Sequence, residues 1–263
     1  MEARSLVKRA MIETLKIAGI DVHVSRKSRH SDLAVINRNY LSRYYEDNSF
    51  RNLYVEAMTK TNSGSRDSFE KQCRFYGLYQ AVRRMLDTNV PGEFAECGCW
   101  RGHSALMTAK LIHEARQERN LHIFDSFEGG LSDKLEEDKG LLATVEPDAM
   151  RKEKEAFCST EEEVLRGLAG FNFVTLHKGW IPERFSNVKD RTFALVNLDL
   201  DLYQPITDSL RFFFPRLSKG GLVVIDDYGT TDWPGVTTAV DQFLEQHPVT
   251  FAIETLGSMM ILK

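Results

Sequence analysis

The sequence has little that would mark a membrane, secreted or nucleic-acid-binding protein. Its 263 residues contain no run near the roughly 18 consecutive apolar residues of a membrane span. The formal net charge of -4 gives no general reason to expect a nucleic acid as partner. Residues 1–20 mix charged and apolar side chains, so they lack the core of a signal peptide and predict an amphipathic helix instead. We expect neither nucleic-acid nor membrane partners.

Cysteine is scarce, and no pair has the spacing of a zinc site. A single residue separates Cys97 from Cys99 in the run CGC, and no matching ligand pair follows. We therefore expect the four cysteines, which include Cys73 and Cys158, to be small buried thiols. Low cysteine usage agrees with a reducing compartment, and we favour the cytoplasm.

The pattern of segments changes near residue 91. Residues 1–90 predict a helical extension and lid, in which Asp67 and Glu70 fit a capping box and residues 25–30 a solvated turn. Residues 91–263 alternate short apolar strands with helices, and two final strand segments predict a hairpin. The predicted fold class is α/β: a doubly wound, mostly parallel seven-stranded sheet with a C-terminal antiparallel hairpin and an N-terminal helical extension.

A glycine-rich turn follows the first strand of this alternating region. The run FAECGCWRGHSA places Gly98 and Gly102 where the backbone can turn sharply and approach a ligand closely. The helix that follows offers free N–H groups to a carboxylate or phosphate. Because the glycine spacing differs from GxGxxG, a nicotinamide-dependent oxidoreductase is only a weak alternative.

Two further strand ends carry candidate binding residues. Asp125 ends the run LHIFD, where a carboxylate can accept hydrogen bonds from ribose hydroxyls. The next strand is followed by HKGW, in which Trp180 either faces an adenine or packs in the core. We assign no role to His177 in that run.

Three carboxylates follow two later strands. Asp199 ends FALVNLD, and Asp226 and Asp227 end GLVVIDD. Clustered carboxylates repel each other, and a divalent cation such as Mg²⁺ or Mn²⁺ removes the repulsion. Asp201 either supports this cluster or points elsewhere. With Asp199 it also forms an Asp-x-Asp, which glycosyltransferases use to hold Mn²⁺ and a nucleotide sugar, so that class is an alternative.

Taken together, these runs resemble the macrocin O-methyltransferase family. FAECGCWRGHSA, FDSFEG, HKGW, NLDLDLY and GGLVVIDDYG occur in the family's order over roughly residues 61–245. The resemblance implies a magnesium-dependent enzyme that transfers a methyl group from S-adenosylmethionine to a hydroxyl of a sugar or another vicinal diol. It implies a small-molecule acceptor, a sugar or glycosylated metabolite. It is compatible with a homo-oligomer.

The resemblance also implies roles for individual residues. Asp199 matches the general base and, with Asp226 and Asp227, the metal ligands. The cofactor-binding positions fall in three groups: the glycine turn (Glu96, Gly98, Trp100, Gly102, Ser104), the end of the second strand (Asp125, Ser126, Phe127) and the HKGW loop (Gly179, Trp180).

Two segments depart from the family's pattern. The loop TNSGSRD stands where family members carry a Thr-Met-containing loop followed by Arg-Leu, and the acidic stretch 131–160 has no counterpart that we can align. The acceptor therefore does not follow from the fold. A catalytically inactive protein of the same fold is the remaining alternative.

Overall fold

The computed structural model describes residues 20–24, 33–37, 47–128, 131–139 and 155–263, the first two ranges by their backbone alone. The chain divides into two units, Met1–Arg51 and Asn52–Lys263. Among the described residues, no helix is long and apolar enough to cross a membrane.

The first unit contains a β-hairpin, which the prediction of a helical extension did not include. Strand β1 (Ile20–Val24) pairs antiparallel with β2 (Leu33–Asn37). Apolar and polar residues alternate along β1, which is the two-residue period of a strand and which our helical interpretation overlooked. The amphipathic helix predicted over residues 1–20 lies outside the described residues except for Ile20, which begins β1, and the turn predicted at 25–30 lies outside them entirely.

Two helices precede the sheet, α1 (Asn48–Lys60) and α2 (Phe69–Asp87). The predicted capping box of Asp67 with Glu70 is wrong, because the N-cap of α2 is Ser68, whose Oγ accepts the Lys71 N–H at 3.1 Å. Asp67 instead accepts the Tyr54 hydroxyl at 2.7 Å. Adjacent aspartate and serine are equally good caps, so the sequence pattern alone does not choose between them.

The second unit contains the predicted seven-stranded sheet. Its spatial order is β5-β4-β3-β6-β7-β9-β8, with β3 to β7 parallel and β9 antiparallel to both of its neighbours. The fold class is therefore confirmed. The strands are β3 (Glu93–Cys97), β4 (Leu121–Asp125), β5 (Val174–Lys178), β6 (Phe193–Leu198), β7 (Leu217–Asp226), β8 (Phe251–Thr255) and β9 (Ser258–Leu262).

The strand order reverses between β3 and β6. The chain runs outward from β3 through β4 to β5 and returns to pair β6 with the other side of β3. Every residue of β6 is buried, as expected of a strand covered on both faces. In such sheets the crevice at the carboxyl ends of the strands beside the reversal is where ligands bind. The remaining helices are α3 (His103–Ala115), α4 (Glu161–Gly167), α5 (Tyr203–Arg216) and α6 (Pro234–Gln246).

Part of the acidic stretch 131–160 has a structural role. A short 3-10 helix, Glu136–Asp138, buries Asp138, whose carboxylate accepts the N–H of Tyr203 at 2.7 Å. Tyr203 is the first residue of α5, and the N-cap residue Leu202 has no side chain that could bond it. Asp138 therefore satisfies a helix N-terminus from a distant part of the chain.

The cysteines are all free, as expected, but they are not all buried. Cys97 and Cys99 are buried, Cys73 is partly exposed and Cys158 is exposed. The first two flank the glycine turn at the end of β3, where the core is dense. Cys158 lies exposed within the acidic stretch 131–160, so the prediction of burial is wrong for it.

Candidate active site at the carboxyl edge of the sheet

The glycine turn after β3 lies directly against the end of β6. Gly98 has φ +80°, and a Cβ there would lie 1.8 Å from the backbone oxygen of Asp199. Gly102 has φ +83° and precedes α3, and a Cβ there would lie 3.3 Å from Val164 of α4. The turn therefore needs glycine at 98 for both its conformation and its space. It brings the predicted cofactor segment to the predicted base.

A buried carboxyl group lies beneath this turn. Glu96 is 1% exposed, and burial raises its pKa to about 8, against the opposing effect of the hydrogen bond that Ser104 Oγ donates to it. The predicted positions 96 and 104 are thus bonded to each other across the turn. At neutral pH the Glu96 carboxyl is held mainly in its protonated form.

Asp125 organises the turn from the neighbouring strand. Its Oδ2 accepts the backbone N–H groups of Cys99 at 2.9 Å and Trp100 at 3.1 Å, and its Oδ1 accepts that of Phe127 at 3.0 Å. These amides belong to the turn and precede the helix start at His103, so Asp125 holds the shape of the turn. Oδ1 accepts only the Phe127 N–H and keeps a second lone pair, so a ribose hydroxyl can still donate to it.

The loop after β5 reaches the same strand end. The Gly179 N–H donates to the backbone oxygen of Asp125 at 3.0 Å, and Gly179 has φ +125°. Ser126 and Phe127 are buried beside this point, whereas Trp180 is 42% exposed. An exposed indole is free to cover a ligand, so the core alternative for Trp180 is wrong. His177 is buried and contacts His122 at 3.0 Å, which agrees with assigning it no role.

The three predicted metal ligands converge. One carboxylate oxygen from each of Asp199, Asp226 and Asp227 lies within 4.8 Å of the other two. Adjacent parallel strands β6 and β7 deliver them to one edge, as predicted. All three donors are carboxylate oxygens, which suits a hard divalent cation such as Mg²⁺ or Mn²⁺. The donor set therefore fits the ion that the resemblance implies.

Burial and mutual repulsion make this cluster electrostatically costly without a cation. The pKa of Asp199 is raised well above its ordinary range by burial and then by Asp226 and Asp227. The pKa of Asp226 is raised to about 7 by burial, which Arg74 opposes. Asp201 is buried with φ +61°, and burial followed by Asp227 and Asp199 raises its pKa as well. Asp201 therefore belongs to the same electrostatic group.

Sequence reasoning missed the arginine that contacts this cluster. Arg74 Nη1 lies 3.2 Å from Asp226 Oδ2 and forms a closer ion pair with Asp227 Oδ1. Arg74 comes from α2, three residues after buried Lys71 and four before buried Leu78. An arginine on the apolar side of an amphipathic helix needs a buried partner, and this position was the available signal.

Three cations surround the Trp100 ring, and sequence reasoning missed them as well. The charged groups of Arg66, Lys71 and Arg101 lie 5.5, 5.5 and 4.9 Å from its centroid. Within the described part of the chain, none of the three has a carboxylate within 4.0 Å. Burial lowers the pKa of Lys71 to about 8, an effect that Asp199 and Asp67 oppose. Beside the glycine turn, such a group of cations can hold an anionic ligand.

Comparison with known sequences agrees with this geometry. The chain matches the family described as Macrocin-O-methyltransferase (TylF) over residues 65–262. It is 29% identical to the demethyldecarbamoylnovobiocin O-methyltransferase of Streptomyces niveus, over 65% of this chain and 64% of that protein. It is 33% identical to the 8-demethyl-8-(2,3-dimethoxy-alpha-L-rhamnosyl)-tetracenomycin-C 4'-O-methyltransferase of Streptomyces olivaceus, over 59% of this chain and 60% of that protein. The match spans less than two thirds of each relative's length.

Comparison with solved structures agrees with the fold. The O-methyltransferase NovP superposes with a TM-score of 0.64 at 22% identity, covering 82% of this chain and 99% of NovP. At that identity the likeness establishes a common architecture, while the chemistry must be argued from the residues.

Proposed function

The chain belongs to the macrocin O-methyltransferase family, and we propose that it transfers the methyl group of S-adenosylmethionine to a hydroxyl of a sugar or another vicinal diol, with Mg²⁺ or Mn²⁺ as cofactor. The observation that carries this proposal is the contact between the two halves of the site. Gly98 of the cofactor turn lies against the backbone of Asp199, the residue that joins the turn to the carboxylate cluster. Relatives named for O-methylation, one with a rhamnosyl group in its substrate, support a sugar hydroxyl as the acceptor.

The cofactor would lie along the carboxyl ends of β3, β4 and β5. The glycine turn supplies a close backbone approach, and Asp125 supplies lone pairs for ribose hydroxyls. Exposed Trp180 would cover the adenine side, while the cations around Trp100 would hold the carboxylate of the methionine part. Glu96 and Ser104 would keep the turn in shape from below.

Asp199, Asp226 and Asp227 would hold the divalent cation. Such an ion supplies Lewis acidity, which lowers the pKa of a nearby hydroxyl group. Asp199 would accept the proton of the acceptor hydroxyl. The deprotonated oxygen then forms the bond to the methyl carbon as the bond from that carbon to sulfur breaks.

The surrounding segments would position the acceptor and exclude water. Helix α2, at the end of the predicted 1–90 lid, brings Lys71 and Arg74 to the site. Phe157 lies between Arg66 and Trp233, with ring contacts at 4.0 Å and 5.9 Å, and Lys134 lies 4.9 Å from Trp233. Stacked rings and cations of this kind suit a glycosylated acceptor.

We also propose that the protein is cytoplasmic, because its four cysteines are free.

Three measurements test the proposal. Formation of S-adenosylhomocysteine should require Mg²⁺ or Mn²⁺ and a vicinal diol, such as a rhamnosylated polyketide. Asp199→Ala should abolish turnover and leave the Kd for S-adenosylhomocysteine within about twofold, because the base contacts the acceptor and not the cofactor. Near-normal turnover of Asp199→Ala at saturating Mg²⁺ would remove Asp199 from the mechanism. In calorimetric titrations, S-adenosylhomocysteine should bind and UDP should not; tight binding of UDP alone would favour the glycosyltransferase.

A further inference from the structure

Arg74 holds the oxygen atoms that the cation needs. Its Nη1 contacts Asp226 Oδ2 at 3.2 Å and pairs still more closely with Asp227 Oδ1. The other oxygen of Asp226, Oδ1, accepts the Ser258 hydroxyl at 3.1 Å. Ser258 thus uses one lone pair of Asp226 Oδ1, while the guanidinium contacts the other oxygen, Oδ2.

The guanidinium and a divalent cation would repel each other if both contacted these carboxylates. Mg²⁺ binds carboxylate oxygens at about 2.0–2.1 Å and keeps several water ligands. An ion held by carboxylate oxygens of Asp226 and Asp227 would lie close to the guanidinium that contacts both residues, so the two positive charges would repel each other. Occupancy by one cation therefore disfavours the other.

The contact between Arg74 and the carboxylate cluster is of a kind that can break. Only Nη1 contacts the two carboxylates, whereas the strong arginine–carboxylate geometry is a bidentate fork. The buried Nε of Arg74 has no hydrogen-bond partner among the described residues. The stem of the side chain passes over Gly257, where a Cβ would lie 3.0 Å from Arg74 Cδ. A long side chain that passes over a glycine and is held at one nitrogen can swing away.

We infer that Arg74 is an internal counter-ion that occupies the carboxylate cluster in the metal-free protein and must leave when the divalent cation enters. Metal loading thereby becomes an exchange of cations, and it moves a side chain of α2, the helix that also carries Lys71. The guanidinium relieves repulsion among the carboxylates of the empty site. The inference rests on the proposed function only for the identity of the ion.

Calorimetric titration with Mn²⁺ alone tests the exchange. Arg74→Met keeps the length of the stem and removes the competing charge, so its apparent Kd for Mn²⁺ should fall at least about tenfold, since the wild type binds only in the fraction of molecules whose site is open. The matched control is Arg84→Met, which removes a charge from the exposed side of the same helix and should leave the Kd unchanged. A change of less than twofold for Arg74→Met would overturn the inference.

A second measurement separates displacement from simple repulsion and uses the wild-type chain. The ¹⁵N resonances of the Arg74 guanidinium, assigned through Arg74→Lys, should shift in proportion to Mg²⁺ saturation as the ion pair is lost. Unchanged resonances at saturation would mean that Arg74 stays in place, and would overturn the inference even if Arg74→Met does not fold. Displacement without any methyl transfer would contradict the proposed function alone, whereas metal-dependent methylation with Arg74 unmoved would contradict this inference alone.

Discussion

Replacing Gly98 by alanine tests whether the glycine turn and the end of β6 form one rigid unit. A non-glycine residue at φ +80° costs about 1–3 kcal/mol in backbone strain. The new Cβ would also lie 1.8 Å from the Asp199 carbonyl oxygen. Moving that oxygen shifts the backbone at Asp199, and we take the cost as that of weakening one neighbouring hydrogen bond, the 2.9 Å bond from the Asp199 N–H to the Cys97 carbonyl, about 0.5–1.5 kcal/mol.

The total destabilisation expected for Gly98→Ala is about 1.5–4.5 kcal/mol, from the same two costs. At about 2–4 °C per kcal/mol for a chain of this size, the Tm should fall by roughly 3–18 °C. Gly170→Ala is the matched control, because Gly170 has φ +99° but nothing within 4 Å of its Cβ position. Gly170→Ala should be destabilised only by the backbone strain and should keep its affinity for S-adenosylhomocysteine. Gly98→Ala should be destabilised further and should lose that affinity. Equal melting temperatures and equal affinities for the two variants would refute the reasoning.

Three further predictions concern single groups of the fold and the site. Asp138→Ala should lower the free energy of unfolding by about 1 kcal/mol, because the α5 N-terminus loses its cap. Asp138→Asn should lower it less, because the amide oxygen can still accept the Tyr203 N–H. Urea unfolding measures both changes. Burial raises the pKa of Glu96 from 4.5 to about 8. The protonated carboxyl therefore contributes fully to the free energy of unfolding below pH 4.5, and this contribution is lost as the pH rises to 8. The free energy of unfolding should fall by at most about 1.4 kcal/mol per pH unit over this range in the wild type, and Glu96→Gln should remove that dependence; an unchanged pH dependence would contradict the burial argument. Lys71→Gln should weaken S-adenosylhomocysteine binding about three- to tenfold by fluorescence titration, whereas Lys60→Gln, at an exposed position on α1, should not.

The sheet was predictable because its strands carry strong local signals. The run FALVNL reads as a strand buried on both faces, and every one of its residues is buried in β6. The position of a residue at a strand's carboxyl end then fixes the edge that it shares with its neighbours. This is why Asp199, Asp226 and Asp227 could be brought together from the sequence alone.

The features that sequence reasoning missed depend on contacts between distant segments. Arg74 meets Asp227 across the interval from α2 to the end of β7, and Asp138 caps α5 from a loop. The helical position of Arg74 indicates that it needs a buried partner, but nothing in the sequence identifies Asp227 as that partner, and the Asp138 pairing has no periodic signal. The hairpin β1–β2 was missed for a different reason, since its two-residue period was present and was interpreted as part of a helical region.

The most direct test of the account is a crystal structure of the protein grown with Mn²⁺ and S-adenosylhomocysteine, with the anomalous signal used to locate the metal. The account predicts one manganese peak bonded to oxygens of Asp199, Asp226 and Asp227, with the cofactor's sulfur on the same side of the sheet, beside Gly98. A cofactor bound elsewhere, or three carboxylates with no manganese among them at saturating concentration, would contradict it.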